Sequence, residues 1–171
     1  MKIHLPNPIT LSEYYKGYLK YITEEDLLDA LTQQKDNTYR FLKSIPAEKE
    51  SYRYQEGKWM LKEVVGHICD TERTLAYRAL RFSRTDTTAL NSFDENLYVP
   101  NSNHANLGLQ LILEEKKSIS DSSIHLFKNM TEEMIDRLGT ASNLSVSVRA
   151  LLFFIVAHER HHLKVISEKY L

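Results

Sequence analysis

Apolar residues recur along most of this chain at intervals of three and four, the spacing of amphipathic helices that face a shared core. The first such stretch runs from about Glu24 to Lys43, through Leu27, Leu28, Leu31, Thr38, Phe41 and Leu42. Thr23 is a plausible N-cap for it, and Pro46 stops it. An aromatic segment, Leu11 to Tyr21, precedes it as a helical lead-in. The second stretch, about Leu61 to Arg84, places Met60, Val64, Ile68, Leu75, Ala79 and Phe82 on one side. The third spans about Leu107 to Asn129, and a brief helical turn over Glu132 to Arg137 follows it. The fourth runs from about Ser147 to Tyr170; its first half is apolar on nearly every side, which makes it the most buried helix expected.

No segment reads as a strand. The second and third long helices are joined by about 22 residues, Thr85 to Asn106, rich in Asn, Asp and Pro. Connections of that length are uncommon in compact domains and tend to serve function. These elements predict one all-α domain over residues 1–171: a four-helix bundle whose long connection lets two neighbouring helices run parallel.

Composition narrows the function classes. The net charge is −1 with no basic stripe, so a nucleic-acid partner has little electrostatic support. The longest apolar run, Ala150 to Ala157, is far short of the ~20 residues that cross a bilayer, so no membrane partner is expected. The first residues, Met1 to Pro8, lack a secretory apolar stretch, and the single cysteine, Cys69, suits a reducing compartment. The expectation is a cytoplasmic, soluble protein.

The chemistry is concentrated in histidines. The fourth helix carries His158-Glu159-Arg160-His161-His162. Residues at i and i+4 share a helix face, so His158 and His162 can reach one ion together. Stepping back from His162 gives Ile155, Leu151 and Val148, which turns the pair toward the bundle interior. Inward imidazoles need partners, because buried polar groups are costly when unpaired. His67 on the second helix is the natural third ligand, within a polar stripe of Glu63, His67, Asp70, Thr74 and Arg78. Three imidazoles with an open position are a catalytic geometry. The same five residues also match the HExxH pattern of zinc proteases, with Glu159 as general base. Only nine residues follow His162 here, none of them a histidine, and no sheet is expected to hold a peptide.

Other residues carry two readings each. Asp70, one turn from His67, either orients an imidazole or makes a salt bridge; Glu159 either moves protons or points to solvent. Arg78 and Arg81 either bind an anionic group such as a cofactor carboxylate, or pair with acids of the long loop. Trp59 packs at the start of the second helix or walls the pocket, and His161 takes a supporting or surface role. Cys69 reads as a small apolar filler, and Glu114-Glu115-Lys116-Lys117 as a solvated face. His4, His104 and His125 need no function.

Two segments carry a family resemblance. Residues 57–72, Gly-Lys-Trp-Met-Leu-Lys-Glu-Val-Val-Gly-His-Ile-Cys-Asp-Thr-Glu, resemble the first signature of the DinB/YfiT-like superfamily. Ala157 to His162 resembles its second, and Phe93 to Val99 resembles one branch of it. The resemblance implies a four-helix bundle with a three-histidine site for zinc or nickel, mapped onto His67, His158 and His162. It also implies kinship with transferases that use bacillithiol, isomerases that use mycothiol, and proteins described only as metal-dependent hydrolases.

The functional expectation is therefore an enzyme with one divalent transition metal. It would direct a low-molecular-weight thiol at an electrophilic small-molecule substrate, with Asp70 or Glu159 managing protons and the long loop covering the pocket. Hydrolysis of an unknown substrate is the close variant. A non-catalytic metal- or ligand-binding bundle, acting through a homodimer surface, is the alternative from another class.

Overall fold

The computed structural model describes residues 1–171. Seven helices and one hairpin follow in order: α1 Glu13–Lys16, α2 Leu27–Lys43, α3 Leu61–Ser83, α4 Glu95–Asn101, α5 Leu109–Lys128, α6 Glu132–Asp136, β1 Leu138–Ala141, β2 Leu144–Ser147 and α7 Val148–Lys169. The four long helices α2, α3, α5 and α7 form the expected bundle, and α3 packs between α7 and α5 while α2 closes the ring from the other side. No helix is long and apolar enough to cross a membrane.

Side-chain pairings give the directions. Gln34 reaches the Val156 carbonyl and Thr38 reaches Glu159, so α2 and α7 run parallel. The start of α5 meets the loop before α3, where Glu50 accepts from Leu109 and Lys62, and Ser120 bonds to Glu72, so α3 and α5 also run parallel. The Tyr170 hydroxyl donates to the Trp59 carbonyl, which sets α7 antiparallel to α3. The long connection makes the parallel α3–α5 arrangement reachable, as its length suggested.

Local chemistry sets the helix ends. Asp26, not Thr23, caps α2: its carboxylate accepts from Leu28 N at 2.9 Å and from Ile3 N at 3.2 Å, which also ties down the N-terminal segment. Glu63 accepts from the Met60 N–H at 2.7 Å and so closes the first turn of α3. Ser147 caps α7, whose residues Ala150–Glu159 are all buried.

The all-helical expectation missed the β1–β2 hairpin, which pairs Leu138 with Ser147 through Ala141 with Leu144. Its two-residue turn places Ser142 and Asn143 at φ 53° and 61°, the left-handed pair that matches strand twist. Gly139 fits here because an added Cβ would fall 2.1 Å from the Phe82 ring. Leu90 of the long connection bridges to Ala141 and ties that connection to the hairpin.

The core is divided by a polar layer. One apolar cluster gathers the N-terminal segment, the end of α3 and the first half of α7; a second gathers the start of α3 and α5 with the end of α7. Between them lie buried Gln34, Thr38, Glu72, Lys116, Ser120, His158 and Glu159. Lys116 is thus not on a solvated face. It is 4% exposed and sits 2.9 Å from Glu72 and 2.8 Å from Glu159. Burial opposes its charge, but the Glu159 and Glu72 carboxylates outweigh that and raise its pKa.

Candidate metal centre

His67 projects from α3, and His158 and His162 from the facing side of α7. The Nε2 of His158 lies 3.1 Å from Nε2 of His67 and 3.1 Å from Nε2 of His162. One ring nitrogen of each histidine falls within 4.8 Å of the other two, a spacing that could hold a metal ion, and no Cys, Asp or Glu joins them. His67 and His158 are buried and His162 is half-buried.

This arrangement fits a divalent ion better than a hydrogen-bonded trio. A neutral imidazole carries one N–H, so a single Nε2 cannot satisfy two other Nε2 atoms by donation and acceptance at once. Tetrahedral zinc at ~2.0–2.1 Å from each nitrogen spaces its ligands by about 3.3 Å, close to the distances observed. The protonation states agree. Burial holds His67 down at about 4 and His162 at about 3, and burial with its imidazole neighbours holds His158 well below its ordinary value. All three are neutral at physiological pH, which is the ligating form.

The trio opens on a cavity of about 370 Å³. Tyr14, Tyr15 and Tyr18 of the N-terminal segment, with Phe154 of α7, form one wall. Edge contacts hold it, with the Tyr15 and Tyr18 rings 4.7 and 4.8 Å from Phe154. Arg160 clamps the same segment onto α7 through Glu24, the Tyr21 carbonyl and Gln34. Trp59 forms another wall, its ring 5.1 Å from His67. Phe93 and Glu95 arrive from the long connection, which therefore covers the cavity as expected. Gly66 allows that connection to seat: a Cβ there would lie 2.3 Å from the His104 ring, and His104 is a buried packing residue.

The other expected site residues divide. Arg78 lines the cavity. Arg81 does not: it pairs with Asp86 and Tyr77. Glu159 neither points to solvent nor reaches the cavity, because Thr38 and Lys116 hold its carboxylate on the α2–α5 side of α7. Asp70 bonds to no imidazole. It lies beside Leu97, Tyr98 and Asn101 on a separate surface, 3.9 Å from Arg73, and burial raises its pKa. The inner stripe of α3 is His67, Thr71, Leu75 and Arg78, not one passing through Asp70 and Thr74. Asp70 turns about 60° to one side of His67 and Thr71 about 40° to the other, and α7 lies on the second side. Cys69 is buried in the second apolar cluster, and burial pushes its thiol pKa up, as suits a filler. His161 accepts or donates at 2.9 Å with the Tyr21 hydroxyl and stands outside the trio.

The sequence reading did not single out Thr71, Glu95, Ser142 or the N-terminal tyrosines for the site. Glu95 lay within the family-like loop segment, and the tyrosines formed an aromatic run without an assigned surface. Thr71 carried no signal beyond its position four residues after His67.

Comparison with known proteins gives the same picture. The chain is 27% identical over 147 residues to "Putative metal-dependent hydrolase OB0413" of Oceanobacillus iheyensis, covering 83% of this chain and 84% of that one. Its fold is similar to that of YfiT from Bacillus subtilis, described as a probable metal-dependent hydrolase with an unusual four-helix bundle topology. That match has a TM-score of 0.71 at 15% identity and covers 96% of this chain and 91% of YfiT. A mycothiol-dependent maleylpyruvate isomerase superposes with a TM-score of 0.65 at 12% identity, over 80% of this chain and 58% of the isomerase. The DinB-like protein YjoA of Bacillus subtilis gives 0.60 at 19% identity, over 82% and 86% of the two chains. The family model of the DinB superfamily matches residues 30–166, which span all four long helices but for the first three residues of α2 and the last three of α7, together with the three histidines, and the chain belongs to that superfamily.

Proposed function

We propose that this protein is a metal-dependent enzyme that joins a low-molecular-weight thiol to an electrophilic small molecule. The observation that carries the reading is the buried trio His67, His158 and His162, with no fourth protein donor, opening on a cavity of about 370 Å³. A structural site is usually closed by a fourth side chain, whereas a catalytic one keeps a position open. A divalent ion held there supplies Lewis acidity, which lowers the pKa of a thiol or water toward ~7.

The chain's own residues do the rest. His67 and the α7 pair would hold the ion from two antiparallel helices, whose packing sets the spacing of the three nitrogens. Trp59, Phe154 and the N-terminal tyrosines wall the reacting side with aromatic surface. A second cavity of about 430 Å³ meets the first at Trp59, His161 and His162. Two chambers meeting at one ligand favour a reaction of two organic partners. Hydrolysis is the second reading, favoured by the description of the curated relative.

The test is thiol consumption with a generic electrophile such as 1-chloro-2,4-dinitrobenzene, comparing metal-loaded wild type with His162→Ala. The transfer reading expects acceleration by wild type and a fall to background in the variant. Equal consumption by the two proteins rejects it.

A further inference from the structure

One face of α3 presents His67, Thr71, Leu75 and Arg78 to the cavity, at i, i+4, i+8 and i+11. Four residues advance about 6 Å along a helix, so the backbone of this ladder rises about 16 Å from His67 to Arg78. Its chemistry changes step by step. Leu75 is an apolar rung. Thr71 is 3% exposed, yet its hydroxyl has no hydrogen-bond partner in the protein. Buried hydroxyls are rarely left so, and this one borders the cavity.

Arg78 is the more telling group. It is 6% exposed, and both of its hydrogen bonds leave one nitrogen for neutral acceptors: the Asn91 carbonyl at 2.7 Å and the Ser142 hydroxyl at 3.2 Å. No carboxylate pairs with it. Glu95 is the cavity's one acid, it is exposed, and it acts on His67 at the other end. A guanidinium buried without a counter-ion is costly, and its planar fork matches a carboxylate.

We infer that Arg78 anchors the carboxylate of an elongated small molecule, which lies along α3 past Leu75 and Thr71 with its reacting end at the histidine trio. This rests on the proposed metal-dependent reaction for its orientation, but the anion anchor itself is independent of the ion. The carboxylate belongs either to the thiol or to its electrophilic partner. In both cases Arg78, Asn91 and Ser142 bring the long connection and the hairpin turn together around the ligand's charged end.

The experiment is calorimetric titration with 6-mercaptohexanoate and 6-mercaptohexanol, on metal-loaded and metal-free protein. Wild type is expected to prefer the acid by about tenfold or more, the scale of a charge-assisted pair. Arg78→Gln is expected to bring the two within about twofold while leaving affinity for the alcohol and metal content unchanged. A merely structural role for Arg78 would weaken both probes together, and Arg78→Lys should restore part of the preference. The preference should persist in metal-free protein, which separates failure of this assignment from failure of the metal centre. A preference confined to the thiol acid assigns the carboxylate to the thiol; hexanoate favoured over hexanol in the presence of 2-mercaptoethanol assigns it to the second substrate. Equal binding of acid and alcohol, no binding of either, or a preference that survives Arg78→Gln overturns the proposal.

Discussion

Three imidazoles kept neutral by burial leave a signature in acid. His67 is held at about 4 and His162 at about 3, below the free imidazole value of ~6.5. Between those values the unfolded chain binds protons that the folded chain does not, so stability rises with pH across the window. It is intact above about pH 6.5 and lost as pH falls toward 4, by up to about 1.4 kcal/mol per pH unit for each imidazole. Urea denaturation of metal-free protein at a series of pH values should show this slope, and a flat profile between about pH 6.5 and 5 would contradict neutral burial. The inward-facing His158 and His162 were legible in the sequence because i,i+4 spacing and an inward phase are both properties of a single helix, and His67 joined them through the family resemblance and its place on a facing helix. The roles of Glu159 and Arg81 were not. Their partners, Lys116 in one case and Asp86 with Tyr77 in the other, depend on how helices and loops pack, which spacing along one helix does not record.

At the scale of elements, α5 and the long connection carry the sharpest expectations. Lys116→Met leaves Glu72 and Glu159 buried without a cation, and about 3–5 kcal/mol of destabilisation should follow in chemical denaturation. Adding Glu72→Gln and Glu159→Gln should recover most of that loss; no recovery would show that packing, not charge, is responsible. Gly66→Ala drives a methyl group into the His104 ring and should cost about 1–3 kcal/mol or unseat the connection, read as faster proteolysis within residues 85–106. Unchanged stability and cleavage would remove His104 as the anchor of that segment. Periodicity located the four long helices to within about three residues at each end. It missed the hairpin, whose strands are four residues each and whose turn depends on left-handed Ser142 and Asn143, not on glycine. The Glu114–Lys117 run misled for a related reason, since Lys116 turns inward while its neighbours Glu114 and Lys117 stay outside.

For the whole molecule, two parallel neighbour pairs and a polar layer across the core place one histidine of α3 opposite two of α7. The bundle itself was readable, because four long amphipathic stretches with one long connection admit few packings. The cavity was only partly readable: the long connection was expected over it, but the N-terminal tyrosines and the hairpin turn join its walls through contacts across the bundle that no single element's period records. An ion bound to the folded state alone should also raise thermal stability, by an amount that grows with the logarithm of its concentration over Kd.

The most direct test is the metal content of untagged wild-type protein beside His158→Ala, with circular dichroism to verify that the variant folds. The account predicts about one equivalent of a divalent transition metal in wild type and near none in folded His158→Ala. Wild type that takes up no stoichiometric metal, or a folded variant that retains it, would contradict the three-histidine centre.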